Sequence, residues 1–125
     1  MSHSCGRHTI AEHFDGKRPE LRQLFDTLLS AARRFGPVHV YAQKTRIVFQ
    51  NRGRFVAVTP RRNYLGGHLW LKRRRSHPVV HRIESLLERD FIHNFRLTNA
   101  DDLDGSFCDL LGEAYKVGNQ EALSD

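Results

Sequence analysis

The chain has 125 residues, of which 39% are hydrophobic and 27% charged, and its formal net charge is +6. This length suits one domain with one core, and the composition excludes wholesale disorder. No stretch reaches the ~18 apolar residues that cross a bilayer, and residues 1–7 lack the apolar run of a secretory signal. Cys5 and Cys108 form no disulfide framework and fit a reducing compartment. We therefore expect a single cytoplasmic domain over residues 1–125, with an ordered core of about residues 9–118.

Positive charge is concentrated in the middle of the chain. Residues 31–75 contain twelve Lys or Arg and no Asp or Glu, whereas the other eight cations and fourteen acids leave the rest of the chain at −6. Arginine outnumbers lysine sixteen to four, which a GC-rich genome would also produce. Base composition does not explain the absence of acids, however. A segment of one sign favours an anionic partner.

Two helices are predicted before Pro37. Thr9 and Glu12 form a capping-box pattern that predicts a short helix over about residues 9–14. A longer helix begins near Pro19 and ends at Gly36-Pro37. Its apolar residues are Leu21, Leu24, Phe25, Leu28, Leu29, Ala32 and Phe35. Their spacing of i, i+3, i+4 and i+7 predicts one helical face packed on a core.

After Pro37 the apolar period changes to two, which is typical of strands. Four strands are predicted, at residues 38–43, 45–50, 54–60 and 64–73. Their connections are short, and Asn51-Arg52-Gly53 is a tight hairpin signal. Short connections make neighbouring strands antiparallel, so the four form a meander. Gly66-Gly67 indicates a bulge or a close backbone approach within the fourth strand.

The last third of the chain is predicted to hold a short helix, a fifth strand and a final helix. Pro78 opens the short helix, which contains Val79, Val80, Ile83, Leu86 and Leu87. Residues 91–97 alternate as a strand, and Thr98-x-x-Asp101 is a second capping pattern before the last helix. The predicted fold class is therefore α+β, an antiparallel β-meander of four to five strands with helices packed on one face.

Strand alternation predicts which side chains face away from the helices. With Ile47, Phe49, Phe55, Ala57, Leu69 and Leu71 directed inward, the outward set is Lys44, Arg46, Val48, Gln50, Arg54, Val56, Val58, His68, Trp70 and Lys72, together with His39 and Tyr41. Cations beside aromatic rings suit single-stranded nucleic acid, because charge binds phosphates and rings stack on bases. The candidate anion or nucleic-acid-binding residues are Tyr41, Arg46, Arg54, His68, Trp70 and Lys72.

The valines in this set leave an alternative open. Val48, Val56 and Val58 would form an exposed apolar patch, which is unusual in a monomer and favours a covered face over an open one. The cover could be the helix near Pro78 or a second subunit, and Trp70 would then belong to a core. In that case the domain is a protein-interaction or self-association module, for example a homodimer.

Histidines are numerous but do not form a metal-binding pattern. His77 and His81 are four residues apart with Pro78 between them, and the histidines near the N-terminus recur every five residues. Zinc sites show tight pairs of ligands, and the sequence has none. We therefore expect no metal and no other cofactor, and a buried His93.

Catalytic motifs are absent from the sequence. It contains no Gly-x-Ser-x-Gly, no Walker loop and no Rossmann glycine set. Helix capping explains Asp101, Asp102 and Asp104 better than metal binding does. A metal-independent hydrolase or nuclease that uses His39 or His68 is the third alternative, and no catalytic residue is assigned.

The order of several short motifs resembles a family of domains. These motifs are His13-Phe14, Leu24-Phe25, Phe35-Gly36-Pro37, Phe55-Val56-Ala57-Val58-Thr59-Pro60, His93-x-Phe95-x-Leu97, Asp102-Leu103-Asp104 and Ala114-Tyr115. From about His13 to Tyr115 the chain is similar to the bacterial domain of unknown function family 5655, sometimes labelled a predicted transport protein. The resemblance implies the order helix, β-meander, helix, and it implies no established activity. The leading functional expectation is non-catalytic binding of an anionic partner, foremost nucleic acid, without a membrane.

Overall fold

The computed structural model describes residues 8–86 and 90–119. Its α-helices are α1 (Ile10–Phe14), α2 (Pro19–Arg33) and α3 (Gly105–Gly118), and its strands are β1 (His39–Ala42), β2 (Ile47–Gln50), β3 (Arg54–Pro60), β4 (Leu65–Leu71), β5 (Val80–Leu86) and β6 (Asp90–Leu97). A short 3₁₀ helix, Ala100–Asp102, precedes α3. Within the described residues, no helix is long and apolar enough to cross a membrane.

All six strands form one antiparallel sheet in the order β1-β2-β3-β4-β6-β5. The predicted α+β class and the antiparallel meander of β1 to β4 are confirmed, whereas the expected four to five strands are one too few. After β4 the chain skips a position, forms the edge strand β5, and returns as β6 between β5 and β4.

The extra strand comes from the segment predicted to be a helix after Pro78. Pro78 and Val79 form a turn, and residues 80–86 continue as β5. A β-bulge between Val80 and Arg82 explains the misleading pattern. Val80 lies opposite Phe95 and Ile83 lies opposite His93, so side chains of one face are three residues apart, as in a helix. Leu87, the last member of the predicted helix, lies outside the described residues.

The helix starts follow local capping chemistry. The Thr9 hydroxyl accepts the Glu12 N–H at 3.1 Å, and the Glu12 carboxylate accepts the Thr9 N–H at 3.2 Å, which confirms the predicted capping box of α1. Pro19 occupies the first turn of α2, as predicted. Gly36, whose φ of 148° is unfavourable for other residues, follows the end of that helix.

The second capping prediction was wrong in its position. Asp104, not Thr98, is the N-cap of α3, and its side chain accepts the Phe107 N–H at 2.8 Å. Asn99 caps the 3₁₀ helix, while the Asp102 carboxylate accepts the Thr98 N–H at 2.7 Å. These carboxylates therefore serve helix capping, as expected.

The helices pack on one face of the sheet, which we call the inner face. The core between them includes Leu24, Phe25, Leu28, Phe107, Leu110 and Leu111 from the helices, and Ile47, Phe49, Phe55, Val56, Val58, Leu69, Leu71 and Phe95 from the strands. Leu28 is 0% exposed. The predicted packing of α2 and α3 on β2, β3 and β4 is thus confirmed.

A bulge also changes the alternation of β3. Phe49 lies opposite Val56, and Gln50 lies opposite Arg54, so Phe55 is an extra residue in β3. Phe55 and Val56 consequently both reach the core, although they are adjacent in the chain. From this point on, the prediction for β3 was wrong: Val56 and Val58 face the core, and Ala57 faces the other side.

Gly67 satisfies the expectation of a close backbone approach. It lies opposite Phe95, and a Cβ at this position would come within 2.8 Å of that ring and 2.5 Å of the Ala57 carbonyl oxygen. The register of β4 with β3 and with β6 is continuous, so the predicted alternative of a bulge at this position was wrong.

Candidate functional site

The face of the sheet opposite the helices is the candidate site, and we call it the outer face. Residues directly opposite one another in antiparallel strands share a face. The register therefore defines a row across all six strands, which consists of Tyr41, Val48, Ala57, His68, Asn94 and Arg82. Residues two positions away along each strand, such as Trp70 on β4 and Ile92 on β6, lie on the same face.

Aromatic rings occupy the β4 and β1 parts of this face. The His68 and Trp70 rings meet edge to face, with centroids 4.8 Å apart. The His39 and Tyr41 rings are 5.6 Å apart. His68, Trp70 and Tyr41 are all partly exposed, so their rings combine packing with access to solvent.

The burial of His68 affects its protonation. Desolvation lowers the pKa of His68, and the nearby Arg46 cation lowers it further, while the Glu84 carboxylate raises it. The net direction is downward from the ordinary histidine value. The neutral ring, which is a better partner for stacking beside a cation, is therefore favoured at neutral pH.

The three predicted cations differ in their surroundings. Arg46 is partly buried, and its Nε donates to the Gln43 side-chain oxygen at 2.9 Å. Arg54 is exposed at the start of β3. Among the described residues, neither side chain forms an ion pair with a carboxylate. Lys72, by contrast, has its Nζ 2.6 Å from an Asp90 oxygen.

In the folded structure, acidic side chains from other parts of the chain contact cations of residues 31–75. Arg73 and Arg75 both bind Glu113 of α3, at 3.0 Å and 2.7 Å. Burial raises the pKa of the Glu113 carboxyl, but hydrogen bonds and charges from these two arginines outweigh it and lower the pKa overall. Part of the positive segment therefore fastens the chain after β4 to α3. Arg46 and Arg54, which have no such partner among the described residues, remain at the outer face.

The outer face is less apolar than the sequence predicted. Val56 and Val58 belong to the core, and the valine that remains, Val48, is 0% exposed. Its neighbour Ala57 is 1% exposed. The expected patch of three exposed valines is therefore absent from the described part of the chain.

One of the two covers considered from the sequence, the helix near Pro78, does not form. The helix that was predicted to lie over this face is the edge strand β5, which continues the sheet beside β6. The contacts of the helices are made with the core side of β3 and β4 and with each other. Val48 and Ala57 in the middle of the outer face are nevertheless only 0% and 1% exposed, whereas Tyr41, His68 and Trp70 retain partial access to solvent.

Several side chains that sequence reasoning missed also lie at this face. Arg96 lies directly opposite Gly66, and Asn94 lies opposite His68. A groove of about 260 Å³ is lined by these residues together with Arg61 and His81. The only signal in the sequence was the alternation of β6. A fifth strand at residues 91–97 was predicted, but its register with its neighbours was not, so these side chains could not be placed on the face.

The histidines have structural partners where they are buried. The His77 Nδ1 accepts the Val79 N–H at 3.1 Å, and its Nε2 donates to Asp104 at 3.0 Å. This hydrogen bond is the main reason that the pKa of Asp104 is lowered. His93, buried as predicted, accepts the Arg75 N–H at 2.9 Å, and desolvation lowers its pKa. Within residues 8–86 and 90–119, no three His, Cys, Asp or Glu side chains are grouped to hold a metal.

The chain therefore belongs structurally to small α+β domains with helices on one face of an antiparallel sheet. A family model described as Domain of unknown function (DUF5655) matches residues 10–118. The chain is a member of that family, as its motifs suggested. No curated protein and no solved structure gives a significant match to the chain.

Proposed function

We propose that this domain binds single-stranded nucleic acid on the outer face of its sheet, without catalysing a reaction. The observation that carries the proposal is the partly exposed His68–Trp70 ring pair on the outer face, which also carries arginines without carboxylate partners among the described residues. Flat rings stack on bases of any sequence, and guanidinium groups bind phosphates.

The balance of charge and apolar surface supports a nucleic acid over a protein partner. A stable protein interface has an apolar centre that is poor in charge. The outer face instead carries Arg46 and Arg54, and Val48 on the same face is 0% exposed. The self-association alternative depended on exposed valines, and two of those valines lie in the core.

A salt series with a fluorescent oligonucleotide tests the proposal. For single strands, the logarithm of affinity should fall with the logarithm of salt concentration with a slope of about −0.7 per phosphate contact. Arg46→Ala and Arg54→Ala should each make the slope shallower by about that amount, whatever the base sequence. Arg34→Ala is the matched control, because Arg34 is an exposed cation at the end of α2 and not on the sheet.

The result also separates the alternatives. If no oligonucleotide binds at low salt, the proposal is wrong. If Trp70→Ala shifts a monomer–dimer equilibrium while oligonucleotides bind only feebly, the self-association module replaces it. Cleavage of the oligonucleotide in the presence of a chelator would instead favour the metal-independent nuclease.

A further inference from the structure

The groove beside Gly66 is a polar cleft in the outer face, next to the aromatic pair. Its volume is about 260 Å³, and it is lined by Arg61, Tyr64, His68, His81 and Arg96. His68 links it to the rings, because the same side chain contacts Trp70. A molecule in the groove would therefore lie next to a base stacked on Trp70.

Gly66 keeps the floor of this groove low. It lies between Thr59 on β3 and Arg96 on β6, in the register of the outer face. A Cβ at this position would come within 3.3 Å of the Tyr64 ring and 3.5 Å of the Thr59 carbonyl oxygen. The absence of a side chain therefore lets Tyr64 and Arg61 pack closely over β4 at the wall of the groove.

Two arginines border the groove. The Arg96 guanidinium lies 5.2 Å from the centre of the Tyr64 ring, a cation–π contact that orients it without neutralising its charge. Arg61 lies in the turn, where its N–H donates to the Tyr64 carbonyl at 2.9 Å. Among the described residues, neither arginine has a carboxylate within ion-pair distance, in contrast to Arg73 and Arg75.

Glu84, the carboxylate that acts on His68, has partners of its own. Glu84 on β5 accepts a hydrogen bond from the Asn94 amide at 2.9 Å and lies 3.9 Å from Arg82. The groove therefore combines guanidinium groups, two imidazoles and a phenol ring with little competing negative charge. Guanidinium groups recognise phosphate oxygens by paired hydrogen bonds, and a small polar cleft excludes a large apolar ligand.

We propose that this groove is a phosphate-binding subsite, which holds a phosphate group of the strand whose neighbouring base stacks on Trp70. This inference rests on the proposed function, and it names residues beyond the six candidates predicted from the sequence. The phosphate is either a terminal monoester or an internal diester, and both present negatively charged non-bridging oxygens to Arg61 and Arg96.

Titration of the intact protein with inorganic phosphate at low salt tests the subsite. In ¹H–¹⁵N spectra, the amides of Gly66, His68 and Arg96 should shift and saturate. Arg96→Gln and Arg61→Gln should each weaken phosphate binding about tenfold, the value of one charge-assisted contact. Arg34→Gln is the control and should leave the titration unchanged. Both groove arginines are exposed, so unaltered thermal unfolding would show that the variants are folded.

Oligonucleotides with and without a 5′-phosphate distinguish the two sources. If the groove holds a terminal monoester, the phosphorylated strand binds more tightly, and Arg96→Gln removes the difference. If it holds an internal diester, Arg96→Gln weakens both strands equally. Either result supports the subsite.

Failure of the inference can be told apart from failure of the proposed function. If phosphate leaves the groove amides unshifted, or shifts them equally in Arg96→Gln, the subsite is wrong, even if oligonucleotide binding still depends on Arg46 and Arg54. If no oligonucleotide binds, the proposed function is wrong, and the strand-binding subsite is overturned with it.

Discussion

The inner and outer faces of the sheet are formed by the same strands but differ in the burial and polarity of their side chains. The inner face packs apolar side chains against α2 and α3, and its large residues are fully buried. The outer face places rings and arginines side by side and leaves them partly in solvent. A substitution on the inner face should therefore change stability, and one on the outer face should change binding.

Leu28→Ala should have the largest effect of all the changes considered. Leu28 is 0% exposed between the helices and the sheet. Its truncation should lower the free energy of unfolding by ~2–5 kcal/mol, because the cavity closes only partly. Chemical denaturation measures this value. Gln23→Ala, at an exposed position of the same helix, is the control, and equal effects of the two substitutions would contradict the assignment of the inner face.

The sequence predicted the inner face well wherever alternation was regular. Period two identified β1, β2 and β4, and period 3.6 identified α2, because one face of each element is buried. Both main errors occurred at bulges. One extra residue at Phe55 moved Val56 and Val58 to the other face, and one at His81 made β5 look helical. A bulge is stabilised by its partner strand and has no necessary signal in its own residues.

The outer face was predictable in part. The directions of Tyr41, His68 and Trp70 followed from alternation, whereas the groove depends on β6 lying beside β4. That pairing joins segments distant in the chain, so Arg96 and Gly66 could not be placed together from local patterns. The edge position of β5 was missed for the same reason, since it also depends on a pairing with β6.

Adjacent glycines on β4 provide a second comparison of the faces. Gly67→Ala should lower the free energy of unfolding by about 1–3 kcal/mol, because its Cβ would overlap the Phe95 ring and the Ala57 carbonyl. Gly66→Ala should cost clearly less, since its nearest neighbour is the end of the Tyr64 ring at 3.3 Å. Denaturation of the two variants under one set of conditions measures the difference. Equal costs would mean that the faces are assigned wrongly.

Trp70→Ala should separate binding from stability on the outer face. Loss of the ring should remove ~1–3 kcal/mol of stacking with a single strand and leave the salt slope nearly unchanged. Trp70→Phe should recover part of this affinity, because it keeps an aromatic face. Fluorescence anisotropy measures the binding and denaturation measures the fold. If Trp70→Ala lowers the free energy of unfolding but leaves oligonucleotide affinity unchanged, Trp70 serves the fold and not binding.

Acid should weaken the ion pairs that join Arg73 and Arg75, after β4, to Glu113 on α3. The pKa of Glu113 is lowered in the folded state, so its ion pairs stabilise the protein above the ordinary Glu value and are lost as pH falls through the lowered one. The lowered pKa of His93 acts in the same direction, since the unfolded chain takes up a proton first. In Glu113→Gln, the loss of stability between about pH 5 and pH 3 should be shallower than in the unsubstituted protein. An unchanged acid profile would mean that Arg73 and Arg75 do not stabilise the fold through Glu113.

The smallest expected effect concerns Lys72, the one predicted cation with a carboxylate partner. Its pair with Asp90 is partly exposed and should contribute at most about 1 kcal/mol to stability. While Asp90 holds the ammonium group, Lys72 is less available to a phosphate than Arg54 is, so Lys72→Ala should change the salt slope less than Arg54→Ala does. Asp90→Asn should release Lys72 and steepen the slope by up to about 0.7, with little change in unfolding. The opposite result would be an unchanged salt slope in Asp90→Asn together with a decrease in Lys72→Ala as large as that in Arg54→Ala. Lys72 would then contact the strand despite its ion pair with Asp90.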